Sequence, residues 1–468
     1  LSLVGSEMCI RDRSMPRLIA VVLTIVVVGF VLHQFFGLGI EMTGSGWLPR
    51  FTFHDEGAHI EALEEHRSAQ ESAASAASAA AESSRDWSLY RGARMDGVYD
   101  GPILVDWAPE GPPRLWRQPV GGGYAGFAVG SGLAFTIEQR RDEEVVAAYD
   151  PRTGVEAWTH AWSAAFREAM GGDGPRATPA YHDGVVYALG AAGELRALRA
   201  ADGSLIWRTD ILDDAGVGNL QWGIAGSPLP VDGQLIVNPG GSEGSVISYR
   251  LSDGEVLWRA LSDSAAYTAP MVVELAGLRQ ILVVTGERAV GLTLEGEGPL
   301  WEYPWVTEYG VNAAQPVIVG EDRFVLSAGY GHGAALVEVE RDDGSLRARE
   351  VWQNRNLKNK FSSSVFYRGH VYGLDEGILV CIDVESGDRL WKGGRYGHGQ
   401  LLLADGHLVI LGEKGQLALV RATPEELDER FVIDAIDGKT WNNPAMTGGG
   451  ILLVRNAEEM AAFDLSPR

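Results

Sequence analysis

Cysteine is scarce in this sequence, with only Cys9 and Cys381 among 468 residues. Two thiols are too few for a disulfide framework or a thiolate metal site, and no C-x-x-C-H pattern for covalent haem is present. The H-E-x-x-H zinc pattern and the G-x-x-x-x-G-K-[ST] phosphate loop are missing as well. The letters GGSEG around Ser242 match G-x-S-x-G, but they join two β-rich runs, which predicts a hairpin turn. Redox chemistry would therefore need a bound organic cofactor.

Basic residues are few relative to acidic ones. The chain has 39 lysine and arginine residues against 63 aspartate and glutamate residues, a formal net charge of −24. Such a charge repels a phosphate backbone, so we expect no nucleic-acid partner. Glycine is abundant, with 60 residues, and apolar residues make up 46% of the chain. This composition is typical of a globular protein that is rich in turns.

An apolar run near the N-terminus predicts a membrane helix. Residues 18–32 are all apolar except Thr24, if glycine is counted as apolar, and residues 35–40 extend the run to about a bilayer's thickness. Arg17 precedes the run, so the positive-inside rule places the N-terminus in the cytoplasm. We therefore expect a single-pass inner-membrane protein whose folded part is periplasmic or extracytoplasmic. A cleaved signal peptide is the alternative, although no small-residue cleavage site follows closely.

A repeat that ends in tryptophan runs through the chain beyond residue 110. Its clearest copies are AYDPRTGVEAW, ending at Trp158, and CIDVESGDRLW, ending at Trp391. In each copy Asp lies four residues before Gly, and Gly four before Trp. This pattern suits a hairpin, because Asp accepts hydrogen bonds from the turn, Gly takes positive φ and Trp fills the gap between sheets.

The tryptophan spacing predicts a propeller. From Trp116 onward the repeat tryptophans are 42, 49, 51, 43, 51 and 39 residues apart, near the period of a four-stranded blade. The eight predicted blades begin near Tyr124, Arg176, Trp222, Tyr267, Asn312, Lys360, Tyr396 and Thr440. The last blade lacks a fourth strand, which residues 113–120 (PRLWRQPV) would supply. We predict an all-β, eight-bladed β-propeller closed by this N-terminal strand and preceded by an N-terminal membrane helix.

The chain accordingly divides into distinct segments. Residues 1–14 fit nothing that follows, and we interpret them as a non-native leader. Residues 15–40 are the predicted membrane anchor. Residues 41–85 are the predicted polar linker, rich in Ala, Ser and Glu, and residues 61–85 show no apolar stripe to bury. Residues 86–468 form the predicted propeller domain, which we expect to be monomeric.

Over roughly residues 86–465 the chain resembles the β-propeller proteins with repeats of the pyrroloquinoline-quinone (PQQ) type. The segment DWSLYRGARMDGVY, the A-x-D-x-x-[ST]-G-x-x-x-W repeats and the stretch from KNKFSSSVF to GGRYGHGQ carry the likeness. The resemblance implies the fold. It implies two kinds of function, because the family includes quinone-dependent dehydrogenases and also cofactor-free binding proteins, such as the lipoprotein of the outer-membrane assembly machine.

All five lysines lie between residues 358 and 439, although arginine occurs throughout the chain. On the predicted strand assignment they share one face of the ring, where neighbouring aromatic and histidine residues make a basic corner that would attract a carboxylate-bearing ligand or an acidic protein surface. The bland alternative is that they are solvated loop charges. The predicted ligand-binding residues are Lys358, Lys360, Lys392, Arg395, Tyr396, His398, Lys414, Lys439, Trp441 and His332.

Asp375, in the turn sequence GLDEG, is the candidate catalytic residue. A carboxylate near a bound quinone could act as general base or help to hold calcium. The sequence indicates no other metal ligand, because turn acids are common and no ligand pattern accompanies this one.

Two functions remain open from the sequence. The first, which we favour, is a non-catalytic binding or scaffold module for an envelope protein or a small anionic ligand, needing no cofactor. The alternative is a PQQ-dependent oxidoreductase acting on alcohols or sugars, with PQQ and calcium as cofactors. Against the alternative, the adjacent cysteines usual in the dehydrogenases it resembles are absent, and so is a haem segment. Capture of the quinone without turnover is a third possibility.

Overall fold

The computed structural model describes residues 19–24, 27–29, 31–32, 38–41, 44, 50–53, 56–71, 83, 85–168 and 170–467. Residues 1–14, interpreted as a leader, lie outside these ranges. None of the helices within them combines the length and the apolar character that crossing a bilayer requires. Residues 38–40, assigned to the anchor helix, belong instead to the strand Leu38–Glu41, which pairs antiparallel with Arg50–Phe53. The predicted helix is therefore wrong at its C-terminal end.

The predicted eight-bladed propeller is confirmed. Eight blades, each built from four antiparallel strands, follow one another around a ring. The strands of the first four blades run from the channel outward. They are Ala128–Gly130, Leu133–Arg140, Glu143–Tyr149 and Glu156–Ser163 in blade 1; Ala180–His182, Val185–Leu189, Glu194–Arg199 and Leu205–Asp210 in blade 2; Leu229–Val231, Gln234–Val237, Val246–Arg250 and Val256–Ala260 in blade 3; and Met271–Leu275, Leu278–Val284, Arg288–Leu292 and Trp301–Pro304 in blade 4.

The remaining blades keep the same order. They are Val317–Ile318, Arg323–Ala328, Gly333–Asp342 and Ser345–Asn354 in blade 5; Val365–Tyr367, His370–Asp375, Ile378–Asp383 and Arg389–Arg395 in blade 6; Gln400–Ala404, His407–Leu411, Gln416–Arg421 and Asp428–Asp434 in blade 7; and Ala445–Met446, Ile451–Arg455, Glu459–Asp464 and Arg114–Pro119 in blade 8. The outermost strand of blade 8 comes from the N-terminal side of the domain and pairs antiparallel with Glu459–Asp464.

The repeat motif joins neighbouring blades, as blades 1 and 2 show. In blade 1 the Asp150 carboxylate accepts hydrogen bonds from the turn amides of Arg152 and Thr153, at 2.8 and 3.0 Å. Trp158 then donates through Nε1 to the carbonyl oxygen of Ala200 in blade 2, at 2.8 Å. The turn glycine of blade 2, Gly203, has φ of +70° and lies against the Trp158 ring, where a Cβ would overlap the indole. Glycine is thus required both by the backbone and by the packing.

The seam between blades 8 and 1 is held by a buried arginine. Arg455 donates to Thr136 Oγ1 at 2.6 Å and to the carbonyl oxygen of Gly121 at 2.8 Å, both on the far side of the seam. Burial lowers the pKa of its guanidinium. These bonds satisfy a buried cation with backbone and hydroxyl acceptors, as a desolvated charge requires.

The segment before the first blade crosses the central channel. The carbonyl oxygens of Trp87 and Ser88 accept from Val129 and Tyr181, on the first strands of blades 1 and 2. Arg91, fully buried, donates to the carbonyl oxygen of Ser364 at 2.7 Å, at the start of blade 6. The short strand Val98–Tyr99 then pairs in parallel with the first strand of blade 7.

In the described part of the chain beyond residue 50, the helices are Glu56–Glu71 and Ile211–Ala215. The sequence predicts a solvated linker where the longer one lies, but the structure buries Leu63 and Arg67 of this helix. Arg67 donates to the carbonyl oxygen of Pro119 at 3.0 Å, so the helix packs on the outermost strand of blade 8. A narrow apolar stripe is enough to dock this otherwise polar helix, because the arginine contributes both an apolar stem and hydrogen bonds.

Candidate functional site

The candidate site is the mouth of the central channel, on the face where the loops into the first strands meet. Tyr124, Phe361 and Trp441 each lie four residues before a first strand. The ring centroids of Tyr124 and Trp441 are 5.4 Å apart, and those of Trp441 and Phe361 are 4.6 Å apart, so the aromatic side chains form a continuous wall. The residues that we call the mouth are Tyr124, Lys360, Phe361, His398, Glu413, Lys439 and Trp441.

Glu413 is the anionic centre of the mouth. It is 6% exposed and lies in the turn between the second and third strands of blade 7. Its Oε1 accepts from Trp441 Nε1 at 3.0 Å and from the backbone amide of Gly44 at 2.7 Å, and its Oε2 accepts from the amide of His398 at 3.2 Å. Burial opposes ionisation, but these donors outweigh it and lower the pKa of Glu413. The carboxylate is therefore charged at neutral pH.

His398 lies beside this carboxylate and is fully buried. Its ring centroid is 5.4 Å from that of Phe361. Burial, followed by the positive charge of Lys360, lowers the pKa of the imidazole, which is therefore neutral near pH 7. A neutral histidine packed against an aromatic ring gives this part of the mouth a rigid, uncharged wall.

Two lysines complete the mouth by lying over aromatic rings. Lys360 Nζ is 5.1 Å from the ring centroid of Tyr330 and donates to the carbonyl oxygen of Gly44 at 2.9 Å. Lys439 Nζ is 4.4 Å from the Trp441 ring centroid. Cation–π contacts of this kind stabilise the ammonium groups without neutralising their charge.

Asp375, the candidate catalytic residue, is held by two lysines. It is 1% exposed, and its carboxylate accepts from Lys358 Nζ at 2.5 Å and from Lys392 Nζ. Two of the predicted ligand-binding lysines are thus committed to a buried carboxylate of their own chain.

The other predicted site residues are spread around the mouth rather than in it. Arg395 and Lys414 are exposed. Tyr396 is buried in the core of blades 6 and 7 and donates to Glu429, and burial together with this carboxylate raises the pKa of its hydroxyl. His332 packs edge-on against Trp305, with ring centroids 4.4 Å apart, beside a cavity of about 390 Å³ lined also by Arg355.

The mouth does not fit PQQ with calcium. Within the described residues, no group of three or more His, Cys, Asp or Glu side chains is placed to hold a metal ion. Glu413 already accepts from three donors, and Asp375 is bound by two lysines. A carboxylate-rich quinone would also meet the charge of Glu413 at the centre of the mouth, which disfavours its binding.

Sequence reasoning missed Glu413, although it singled out the turn GEKGQ for the neighbouring Lys414. It also missed Tyr124 and Phe361 as site residues. A signal was available, because an aromatic residue lies four positions before the first strand in four of the eight blades, and such a repeat indicates equivalent positions around the channel. These aromatic residues are Tyr124, Tyr267, Phe361 and Trp441.

Comparison with known proteins gives a family. A protein-family model described as outer membrane protein assembly factor BamB matches residues 141–393. BamB of Escherichia coli K12 is 26% identical over 264 residues, covering 53% of this chain and 65% of that protein. BamB of Yersinia pestis is 27% identical over 267 residues with the same coverage, 53% and 65%. The alignments therefore span a little less than two thirds of these relatives' own length.

Solved structures share the fold. BamB from Moraxella catarrhalis has a TM-score of 0.53 at 13% identity, covering 76% of this chain and 98% of that chain. Quinohemoprotein alcohol dehydrogenase from Comamonas testosteroni has a TM-score of 0.58 at 13% identity, covering 88% and 85%. At these identities the likeness concerns the fold alone, which BamB shares with an alcohol dehydrogenase.

The predicted localisation is wrong. A single-pass protein of the inner membrane is contradicted by the curated relatives, whose name places their work in the assembly of the outer membrane's proteins. The apolar run before residue 40 misled the prediction, because hydropathy identifies an apolar segment and not the membrane it serves. The family match covers more than half of the 468 residues, and the chain therefore belongs to the family of the outer membrane protein assembly factor BamB.

Proposed function

We propose that this protein is a non-catalytic scaffold that binds an envelope protein in outer membrane protein assembly, through the face of the ring that carries the mouth. Family membership supports the process. The observation that carries the choice of face is a pair of exposed apolar side chains in the loop from blade 4 to blade 5. Val306 is 65% exposed and Tyr309 is 66% exposed. Large exposed apolar side chains in a loop on a rigid ring are typical of a protein contact.

This loop is continuous with the mouth. The rings of Tyr309 and Tyr330 meet edge-on, with centroids 5.6 Å apart, and Tyr330 in turn lies under the Lys360 ammonium. A partner that covers Tyr309 would therefore reach the cationic rim of the mouth as well. An aromatic anchor next to a lysine suits a protein surface with an apolar centre and an acidic edge.

The chemistry of the site supports binding over turnover. Asp375, the candidate base, is bound by two lysines, and Glu413 is held by three donors. A small anionic ligand is disfavoured as well, since Lys358 and Lys392 are already paired with the Asp375 carboxylate. The PQQ-dependent alternative would need one of these carboxylates released.

The test replaces the two exposed side chains in the source bacterium. We expect the double variant Val306→Ser, Tyr309→Ser to lower the amounts of folded outer membrane proteins severalfold, because the apolar contact is lost while the core is untouched. Leu390→Ser is the matched control, because Leu390 is also an exposed apolar residue, 45% exposed, but lies on the outer strand of blade 6. Quantitative proteomics of outer membranes is the measurement.

Equal effects of the two replacements, at equal protein levels, would contradict the choice of face. The purified chain is also titrated with PQQ and calcium while reduction of a dye by alcohols and sugars is followed. Turnover that Asp375→Asn abolishes would instead support the oxidoreductase.

A further inference from the structure

The central channel is closed by the chain itself at the end away from the mouth. The segment around Trp87 and Arg91 bonds to the first strands of blades 1 and 2 and to the start of blade 6, and Val98–Tyr99 adds to blade 7. Met95 packs with the buried side chains of blades 3 and 4. A ligand can therefore enter from the mouth but cannot pass through the ring.

Gly44, from the turn side of the hairpin Leu38–Glu41 and Arg50–Phe53, occupies this mouth. Its amide donates to Glu413 Oε1 at 2.7 Å, and its carbonyl oxygen accepts from Lys360 Nζ at 2.9 Å. An anionic and a cationic side chain, brought by different blades, thus hold the two polar backbone groups of one residue. Charge-assisted hydrogen bonds to a peptide unit are the strong kind, and they do not depend on the side chain that the residue carries.

The mouth admits only glycine at this position. A Cβ on Gly44 would lie 2.5 Å from Cδ2 and 2.8 Å from Cγ of the His398 ring, and 3.0 Å from Glu413 Oε1. His398 cannot move aside easily, because it is fully buried and packed against Phe361. The site therefore binds the backbone of one residue and leaves no space for a side chain at that position.

We propose that the mouth is a binding site for a glycine-bearing peptide turn, and that Gly44 occupies it in cis until a partner's turn of the same chemistry replaces it. The proposal that a partner's turn binds the mouth rests on the proposed binding function. The contact between Gly44 and the mouth rests on the geometry alone. Because a bound hairpin and a bound partner exclude each other, the hairpin lowers the apparent affinity of the mouth for any competing turn.

The test uses the full chain and a labelled synthetic peptide of residues 38–53, followed by fluorescence anisotropy. Gly44→Val should expel the hairpin and let the peptide bind at least about tenfold more tightly than it binds the wild type, because self-occupation is removed. Gly218→Val is the matched control, since a Cβ there meets nothing within 4 Å. A peptide with valine in place of Gly44 should not bind, and adding Glu413→Gln to the Gly44→Val chain should weaken binding again.

Equal affinity of the peptide for the wild type and Gly44→Val would overturn the proposal, as would equal binding of the glycine and valine peptides. Hydrogen exchange supplies a second measurement that needs no valine variant. The amide of residue 44 should exchange slowly in the wild type and faster in Glu413→Gln, and free exchange in the wild type would also overturn the proposal. If the proposal about the glycine turn is wrong, replacing Val306 and Tyr309 is still expected to impair outer membrane protein assembly. The two proposals can therefore be refuted independently.

Discussion

At the scale of single residues, two carboxylates on the mouth face are bonded to partners within the chain. Asp375 is bound by two lysines, and Glu413 by three donors, two of which are backbone amides. Such bonded groups fix the shape of a surface. A different buried carboxylate, Glu144 in blade 1, has a raised pKa and gives the fold a measurable pH dependence.

Burial raises the pKa of Glu144 to about 7 from its ordinary 4.5, although the Ala191 amide donates to it at 2.8 Å. Because the folded pKa is the higher one, the favourable contribution of this group is complete below pH 4.5 and is lost as the pH rises to about 7. Glu144→Gln should therefore match the wild type near pH 4.5 and exceed its free energy of unfolding by up to about 3 kcal/mol at pH 8.

Urea denaturation of both proteins at these two pH values measures the difference. The exposed Glu143, next to Glu144 in the same strand, offers the control Glu143→Gln, which should not change the pH dependence. A wild type and a Glu144→Gln variant with parallel pH profiles would show that the carboxyl group is not protonated on folding.

At the scale of elements, the repeat was predictable and the packing of the N-terminal helix was not. The Asp150, Gly154 and Trp158 motif is local, since each residue has its role set by a single turn and the adjoining blade. Blade number and order follow from counting the predicted inner strands. The helix Glu56–Glu71 shows only a sparse apolar pattern, and its docking depends on an outer strand that lies far away in the sequence.

The site was predictable as a face but not as a set of contacts. The lysines share one face because the topology brings their loops together, and sequence order is enough to show it. The pairing of Lys358 and Lys392 with Asp375 depends on side-chain directions and on a separation of 17 residues, which a pattern does not encode. Glu413 was missed because a turn carboxylate has no distinguishing pattern until the fold places donors around it.

The helix Glu56–Glu71 supports a prediction about local stability. Leu63 is buried between the helix and the propeller, so Leu63→Ala should weaken helix docking by about 2–3 kcal/mol through lost apolar contact. Amides of residues 56–71 should then exchange roughly tenfold or more faster, while those of the blades keep their wild-type rates. Hydrogen exchange with mass spectrometry is the measurement, and Glu65→Ala, at an exposed position of the same helix, is the control. Faster exchange throughout the blades would mean that the helix is part of the propeller's cooperative core.

At the scale of the whole molecule, the ring is a rigid body with one chemically distinctive face. Tryptophan hydrogen bonds join several neighbouring blades, such as blades 1 and 2, and Arg455 joins the seam. The far side of the channel is crossed by the chain itself, whereas the near side presents the mouth and the exposed loop with Val306 and Tyr309. A rigid ring with an exposed apolar loop and an occupied, charged mouth is suited to holding a protein partner.

Site-specific photo-crosslinking in the source bacterium tests binding through the mouth face most directly. A photoreactive residue in place of Tyr309 should give a discrete adduct that mass spectrometry identifies as a component of outer membrane protein assembly. The same residue in place of Leu390, on the side of the ring, should not give that adduct. Adducts of equal yield at both positions, or none at position 309 in a protein present at its normal level, would contradict binding through the mouth face.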